Sequence, residues 1–467
     1  MLPVVALVGR PNVGKSTLFN VLTRTRDALV HDLPGVTRDR HYGICRIEPE
    51  RPFVVVDTGG FIENAEGIDS QTARQAQFAI DEADVVLLTV DAREGLLPTD
   101  RAILDRLRRA GKPMLLVVNK VDGLDEATAL AEFAALGIGD VFPTSAAHSR
   151  GMAPLLARVR ALLPQAAADA LAESPDDGIR VAIVGRPNAG KSTLVNRLLG
   201  EERVIASDVP GTTRDSIRIA LERDGKRYTL IDTAGIRRRA RIEDALEKFS
   251  VIKSLQSVEA AHVTVFMLDA REGVSEQDAT LIGHVLEAGR ALVIAVNKWD
   301  GLDKYQREQC DRSLERKLDF AAWARRVHIS ALHGSGIAEL MRAVNRAHAS
   351  ANHKFTSSEL TRAVEAAYQA YQPPLVRGHT PKLKYAHPAG SNPPTIIIHG
   401  ARTRHIADSY RRYLENFFRK RYRLEGTPIR IEFRDGDNPY AGKRNELTEG
   451  QQRRRTRMIR NARRGGR

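Results

Sequence analysis

Gly9-Arg10-Pro11-Asn12-Val13-Gly14-Lys15-Ser16-Thr17 recurs as Gly185-Arg186-Pro187-Asn188-Ala189-Gly190-Lys191-Ser192-Thr193, at an offset of 176. Each copy follows a short apolar run, 4–8 or 181–184, and opens a helical pattern, Lys15–Leu22 in the first. Four more segments repeat in the same order. Pro34-Gly35-Val36-Thr37-Arg38-Asp39 returns as Pro210-Gly211-Thr212-Thr213-Arg214-Asp215, at the same offset. Asp57-Thr58-Gly59-Gly60 returns as Asp232-Thr233-Ala234-Gly235 at 175, and Asn119-Lys120-Val121-Asp122 as Asn297-Lys298-Trp299-Asp300 at 178. Ser145-Ala146 pairs with Ser330-Ala331 at 185. One order, twice, with a drifting offset, means two homologous domains with small loop insertions; solenoid periods are much shorter.

The apolar runs 4–8, 53–56, 85–90 and 114–118 suit strands buried on both faces, and 181–184, 228–231, 263–268 and 292–296 answer them. Asp224-Gly225, between 217–222 and 227–231, predicts a hairpin turn. Helical patterns such as 275–287 alternate with these runs. Each copy is therefore predicted α/β, with a mostly parallel sheet, one antiparallel pair, and ligands beyond the carboxyl ends of the strands. The acidic, turn-rich stretch before the second copy reads as a linker. The expected limits are 1–165, a linker at 166–178, 179–350, a smaller α+β domain at 351–440, and a tail at 441–467.

Glycines at the ends of Gly-x-x-x-x-Gly-Lys-Ser let backbone N–H groups wrap a phosphate at a helix N-terminus. Lys15 and Lys191 can reach β and γ oxygens, and Ser16 and Ser192 can ligate Mg²⁺. Asn-Lys-x-Asp selects the base. Asp122 or Asp300 can accept from both N1–H and the exocyclic amine of guanine, and adenine would leave the carboxylate unpaired.

These motifs resemble those of translation-factor-related GTPases, and two in tandem resemble the double GTPases of the Der (EngA) family over the whole chain. The resemblance implies two P-loop G domains that bind GTP or GDP. It matches Thr37 and Thr213 to the switch threonine that closes on Mg²⁺ and γ-phosphate. Asp57 and Asp232 match the carboxylate that holds the metal through water, and Gly60 and Gly235 the glycine that senses γ-phosphate. Ser145-Ala146 and Ser330-Ala331 match the loop that contacts the guanine oxygen. Signalling GTPases carry a water-orienting glutamine after the second glycine; here Phe61 and Ile236 follow, and neither bonds water. Hydrolysis is therefore expected to be slow, or helped by another element. Asn12 and Asn188 offer amide oxygens suited to a monovalent cation or, alternatively, to an Asx turn. The resemblance implies potassium stimulation. Arg38 and Arg214 are open between a structural role and a phosphate contact.

The charge of +14 is uneven: Lys+Arg against Asp+Glu is 47 to 48 over residues 1–351 and 25 to 10 over 352–467. Positive charge at one end is the footprint of a polyanion partner, with a solvated tail as the plain alternative. Within this region Thr356 and Glu359 predict a capping box for a helix whose Leu360, Val364, Tyr368 and Tyr371 share a face. Runs 382–385, 395–398 and 429–433 read as strands. A second helix, 406–422, turns Ile406, Tyr410, Leu414 and Phe417 inward. The pattern α-β-β-α-β resembles the KH-like domain closing the Der family, although no GxxG loop occurs. Lys382, Lys384, Arg411, Arg412, Arg419, Lys420, Arg421 and Arg423 supply phosphate-binding charge. In 443–467 arginine outnumbers lysine nine to one, which favours phosphate forks and base stacking over mere solvation.

Composition adds bounds. At 467 residues, 42% apolar and 28% charged, the chain suits about three ordinary domains. Two distant cysteines outside any metal spacing point to a reducing compartment. No apolar run is long enough for a bilayer, and the start lacks a basic n-region. A cytoplasmic monomer with no membrane partner is expected. By resemblance its RNA is ribosomal, in assembly of the large subunit. A GTPase chaperoning an RNA-modification or protein complex is the second class left open.

Overall fold

Val4–Val8 (β1) shows why the apolar runs are continuous. In the computed structural model Val5 and Leu7 join a core with Leu18, Leu22, Leu155 and Val159 on one face of the sheet. Ala6 and Val8 join another with Leu104, Leu107 and Phe133 on the other. Both faces are covered by helices, so neither parity can be polar; each buried Val or Leu contributes roughly 1.5–3 kcal/mol. The structure describes residues 2–23, 42–45, 47, 52–58, 79–164, 178–201, 203–205, 218–231, 250–375 and 379–435.

The first repeat continues with α1 (Lys15–Leu22), β2 (Tyr42–Cys45), β3 (Phe53–Asp57), β4 (Val85–Asp91), α2 (Pro98–Ala110), β5 (Met114–Asn119), α3 (Glu126–Ala131), β6 (Val141–Thr144) and α4 (Met152–Leu162). Its sheet order is β2-β3-β1-β4-β5-β6, with only β2 antiparallel to its neighbour. Register brings the motif residues together: Leu7 lies beside Asp57, and Asn119 lies between Asp91 and Thr144. The carboxyl ends of five strands thus converge.

The second repeat runs β7 (Ile179–Val184), α5 (Lys191–Glu201), β8 (Arg203–Ile205), β9 (Ile219–Arg223), β10 (Lys226–Ile231), α6 (Ser250–Ala260), β11 (Val263–Asp269), α7 (Glu276–Glu287), β12 (Ala291–Asn297), α8 (Lys304–Lys317), β13 (Arg325–His328) and α9 (Ile337–Ala351). Its seven strands order as β13-β12-β11-β7-β10-β9-β8. Two pairs are antiparallel here, β8–β9 and β9–β10, where one was expected; the extra strand β8 adds onto the hairpin's free edge. Asp224 and Gly225 close that hairpin at φ +51° and +71°, the twist that a two-residue turn between strands requires. Ile252 and Leu255 of α6 are buried with Leu2, Val4, Val54 and Val56 of the first repeat.

Helices α10 (Ser357–Ala370) and α11 (Asp408–Tyr422) accompany a three-stranded sheet, β14 (Lys382–Gly390), β15 (Thr395–Ala401) and β16 (Arg430–Asp435), in that order. Thr356 and Glu359 form the expected capping box. Two side chains differ from expectation. On α10, Ala363 and Ala367 complete the buried face with Leu360 and Val364, while Tyr371 lies beyond the helix and is exposed. On α11, Phe418 and not Phe417 follows Leu414 inward, because a buried stripe advances by four residues as readily as by three. By contacts, one unit holds residues up to 354 with 390–395 and 418–430, and the other holds 355–389, 396–417 and the residues from 431. No described helix is long and apolar enough to cross a membrane.

Candidate nucleotide sites

The loops after β1 and β7 share one backbone. Asn12 and Gly14 have φ +63° and +96°, and Asn188 and Gly190 have +60° and +99°. A Cβ on Gly14 would stand 2.3 Å from Asn119 Nδ2, and one on Gly190 2.1 Å from Asn297 Nδ2. Glycine is needed there both for its φ and for the close approach. Each loop delivers its N–H groups to a helix N-terminus, a cradle for an anion.

The lysines lie inside these cradles. Lys15 Nζ donates to Arg10 O at 2.6 Å, and Lys191 Nζ donates to Gly185 O and Arg186 O, both at 2.7 Å. Burial pushes the Lys191 ammonium down to about 8, against the pull of Asp278. An incoming anion would add negative charge beside the Lys191 ammonium and favour its charged form. Ser16 Oγ–H donates to Asp57 Oδ2 at 2.8 Å, so a hydroxyl and a carboxylate meet at the end of β3. That oxygen pair fits a hard divalent cation.

The base end is held by two buried amides. Asn119 Nδ2 donates to Val13 O at 2.9 Å, and its Oδ1 accepts from Ala146 N at 3.0 Å. Asn297 repeats the pattern, to Ala189 O at 2.8 Å and from Ala331 N at 2.9 Å. Each asparagine therefore ties the phosphate loop to the loop carrying Ser145-Ala146 or Ser330-Ala331. Lys120, at φ +65°, donates to Asn12 O at 2.7 Å and pairs with Asp91 at 2.6 Å; Lys298 pairs with Asp269.

Asp122 accepts from Ser145 Oγ at 2.7 Å and pairs with Arg93. The serine bond is the main cause holding its carboxyl below the usual carboxylate range. Asp300 is likewise lowered, first by Ser330, and has His333 Nε2 at 3.3 Å. Both stay anionic acceptors, as recognition of guanine requires. In the second repeat the phosphate and base ends open into one cavity of about 350 Å³, lined among others by Lys191, Ser192, Asn297 and Asp300.

Some side chains in the motifs serve the scaffold. Arg10 turns to Asp100 (3.2 Å) and Glu94, and Arg186 to Asp278 (2.8 Å) and Glu272 (3.0 Å). Among the described residues neither Asn12 nor Asn188 closes an Asx turn, and both are exposed. Thr37, Gly59, Gly60, Phe61, Thr213, Asp232, Thr233, Ala234, Gly235 and Ile236 lie outside the described residues, with Arg38, Arg214, the linker residues 166–177 and the tail. Of the eight cations named in the C-terminal region, Arg411 pairs with Asp408 and Arg419 lies over Trp323; the other six are exposed.

A reading by motif alone misses Asp91 and Asp269, which fix the Asn-Lys-x-Asp lysines, and Asp100 and Asp278, which fix Arg10 and Arg186. A signal existed. Asp91-Ala92-Arg93-Glu94-Gly95 recurs as Asp269-Ala270-Arg271-Glu272-Gly273, at the offset of the Asn-Lys-x-Asp pair.

Comparison with known proteins agrees with this duplication. A family model described as "50S ribosome-binding GTPase" matches twice, over residues 4–120 and 180–298. A second, "KH-domain-like of EngA bacterial GTPase enzymes, C-terminal", matches 354–434. GTPase Der of Xanthomonas axonopodis pv. citri (strain 306) is 59% identical over 460 residues, 98% of this chain and 99% of that protein. GTPase Der of Xylella fastidiosa (strain 9a5c) is 58% identical over 464 residues, 99% of this chain and all of that one. Likeness at this level over both cradles and the C-terminal region places the chain in the Der (EngA) family of GTPases with two G domains and a KH-like domain.

Proposed function

We propose that both cradles bind guanine nucleotide with Mg²⁺, that hydrolysis is stimulated by K⁺, and that the basic C-terminal region engages RNA of the large ribosomal subunit during its assembly. The observation that carries this is the pair of asparagine-tied sites, each with a lysine in an anion cradle and a serine-held aspartate at the base end. The divisions 1–165, 179–350 and 351–440 stand with it, and the matched family spans fall inside them. A cytoplasmic monomer suits a partner reached through a basic surface.

The chain's own residues divide the work. Lys15 and Lys191 bring positive charge to the β and γ oxygens, and Asp122 and Asp300 orient the base. Ser16, Asp57 and Thr37 would hold magnesium at the first site, and Ser192, Asp232 and Thr213 at the second. Bound magnesium neutralises charge that develops on the phosphates. Gly60 and Gly235 report the γ-phosphate through their N–H groups. The exposed amides of Asn12 and Asn188, free of an Asx turn, would offer an oxygen to potassium, which would stand where other GTPases use an arginine.

Two measurements test this. GTP hydrolysis should run well faster in KCl than in NaCl at equal ionic strength, with Asn12→Ala and Asn188→Ala each abolishing the difference at one site. Equal rates in the two salts would remove the cation. Sedimentation with ribosomal subunits should depend on whether a GTP analogue or GDP is bound, and should fall steeply with salt. Co-sedimentation with the small subunit alone would refute the large-subunit assignment.

A further inference from the structure

On β14 and β15 the strand alternation separates two kinds of residue. Ala386, Ile396 and Ile398 are fully buried. Tyr385, His387 and His399 fall on the opposite parity and meet across the strands. Tyr385 and His399 stack with ring centroids 4.4 Å apart and planes within 8°. His387 stacks on His399 at 5.1 Å and 24°. The three rings form a ladder with His399 in the middle, and among the described residues no fourth ring continues it at either end. Tyr385 is 49% exposed.

The surroundings select the ligand. Lys382 and Lys384 are exposed on the same strand with the parity of Ala386, and Arg434, exposed and paired with Glu432, is close enough to act on His399. Burial, then His387 and Arg434, pushes the His399 imidazole below the ordinary histidine range. His399 Nε2 is buried without a hydrogen-bond partner. An exposed aromatic face in a region where Lys+Arg outnumber Asp+Glu by 25 to 10 suits a planar, anionic polymer unit better than an apolar peptide. Bases within a duplex are already stacked on both faces, so only an unpaired base can extend the ladder.

We propose that Tyr385, His399 and His387 form a stacking platform for an unpaired base of single-stranded RNA. This rests on the reading that the C-terminal region binds RNA, and adds a contact distinct from the basic tail. It also gives the domain a route to single strands without a GxxG loop.

The test uses the full-length chain and two fluorescent probes: a single-stranded RNA oligomer containing 2-aminopurine, and the same oligomer as a duplex. Tyr385→Leu should weaken single-strand binding about tenfold, the worth of one base stack, and abolish the quenching of 2-aminopurine. It should leave the salt slope and duplex binding unchanged. Tyr385→Phe, which keeps the ring, should bind and quench like wild type, and this guards against misfolding as the cause. Removing 443–467 should instead flatten the salt slope while quenching persists. Equal single-strand affinity and quenching in wild type and Tyr385→Leu would overturn the platform alone. No binding of either probe by wild type would overturn the RNA reading and the platform with it. A Tyr385-dependent partner captured equally after nuclease treatment would replace the base by a protein.

Discussion

Asn297→Ala probes the tie between phosphate and base ends of the second site. The side chain is 3% exposed and makes two good bonds, to Ala189 O at 2.8 Å and from Ala331 N at 2.9 Å. Truncation strands a carbonyl and an N–H, each costing about 1–3 kcal/mol when left unpaired. The neighbouring cavity lets water reach part of this space, so a total of about 2 kcal/mol is the reasonable expectation. If the tie is needed only in the nucleotide-binding conformation, that converts to roughly a thirtyfold loss of affinity. The assay is equilibrium binding of a fluorescent GDP analogue in a Lys15→Ala background, which silences the first site. Asn297→Asp sharpens it, because it keeps the acceptor for Ala331 N–H but sets a carboxylate against Ala189 O. Binding by Asn297→Asp should be at least as weak as by the alanine variant. Affinity within twofold of the parent for Asn297→Ala, in a chain that melts normally, would refute the tie. Recovery in Asn297→Asp would show that the bond to the phosphate loop is dispensable.

Gly190→Ala should abolish nucleotide binding at the second site and spare the first, since its Cβ would stand 2.1 Å from Asn297 Nδ2 at a φ of +99°; measuring both sites with the same analogue checks this. The Lys191 ammonium, lowered to about 8 by burial, is the form that binds phosphate. Below that pH it is charged before and after binding; above it, binding must take up a proton, so affinity should fall as pH rises beyond about 8. Calorimetry in buffers of different ionisation heat reads that uptake, which Lys191→Ala should remove.

Much of this protein is written locally. The duplicated phosphate loops, the buried strand runs, the Asp224-Gly225 turn and the Thr356–Glu359 cap depend on residues within a few positions of one another. Backbone geometry, hydrogen bonds across one turn and the period of an element fix such features, so they survive reading in one dimension. The proposed guanine selectivity is equally local, because a short motif at the end of a strand carries the whole acceptor. Only the tertiary structure decided which residues hold those motifs in place. Arg10 meets Asp100 across 90 residues, and Asn119 reaches Val13 O across 106. Those pairings exist because the strand order brings β1, β4 and β5 side by side with their carboxyl ends level, and no local signal encodes strand order. The ring ladder has the same origin. Tyr385 and His399 are ordinary residues on separate strands, and they become one surface only when the register of β14 against β15 sets their rings in parallel.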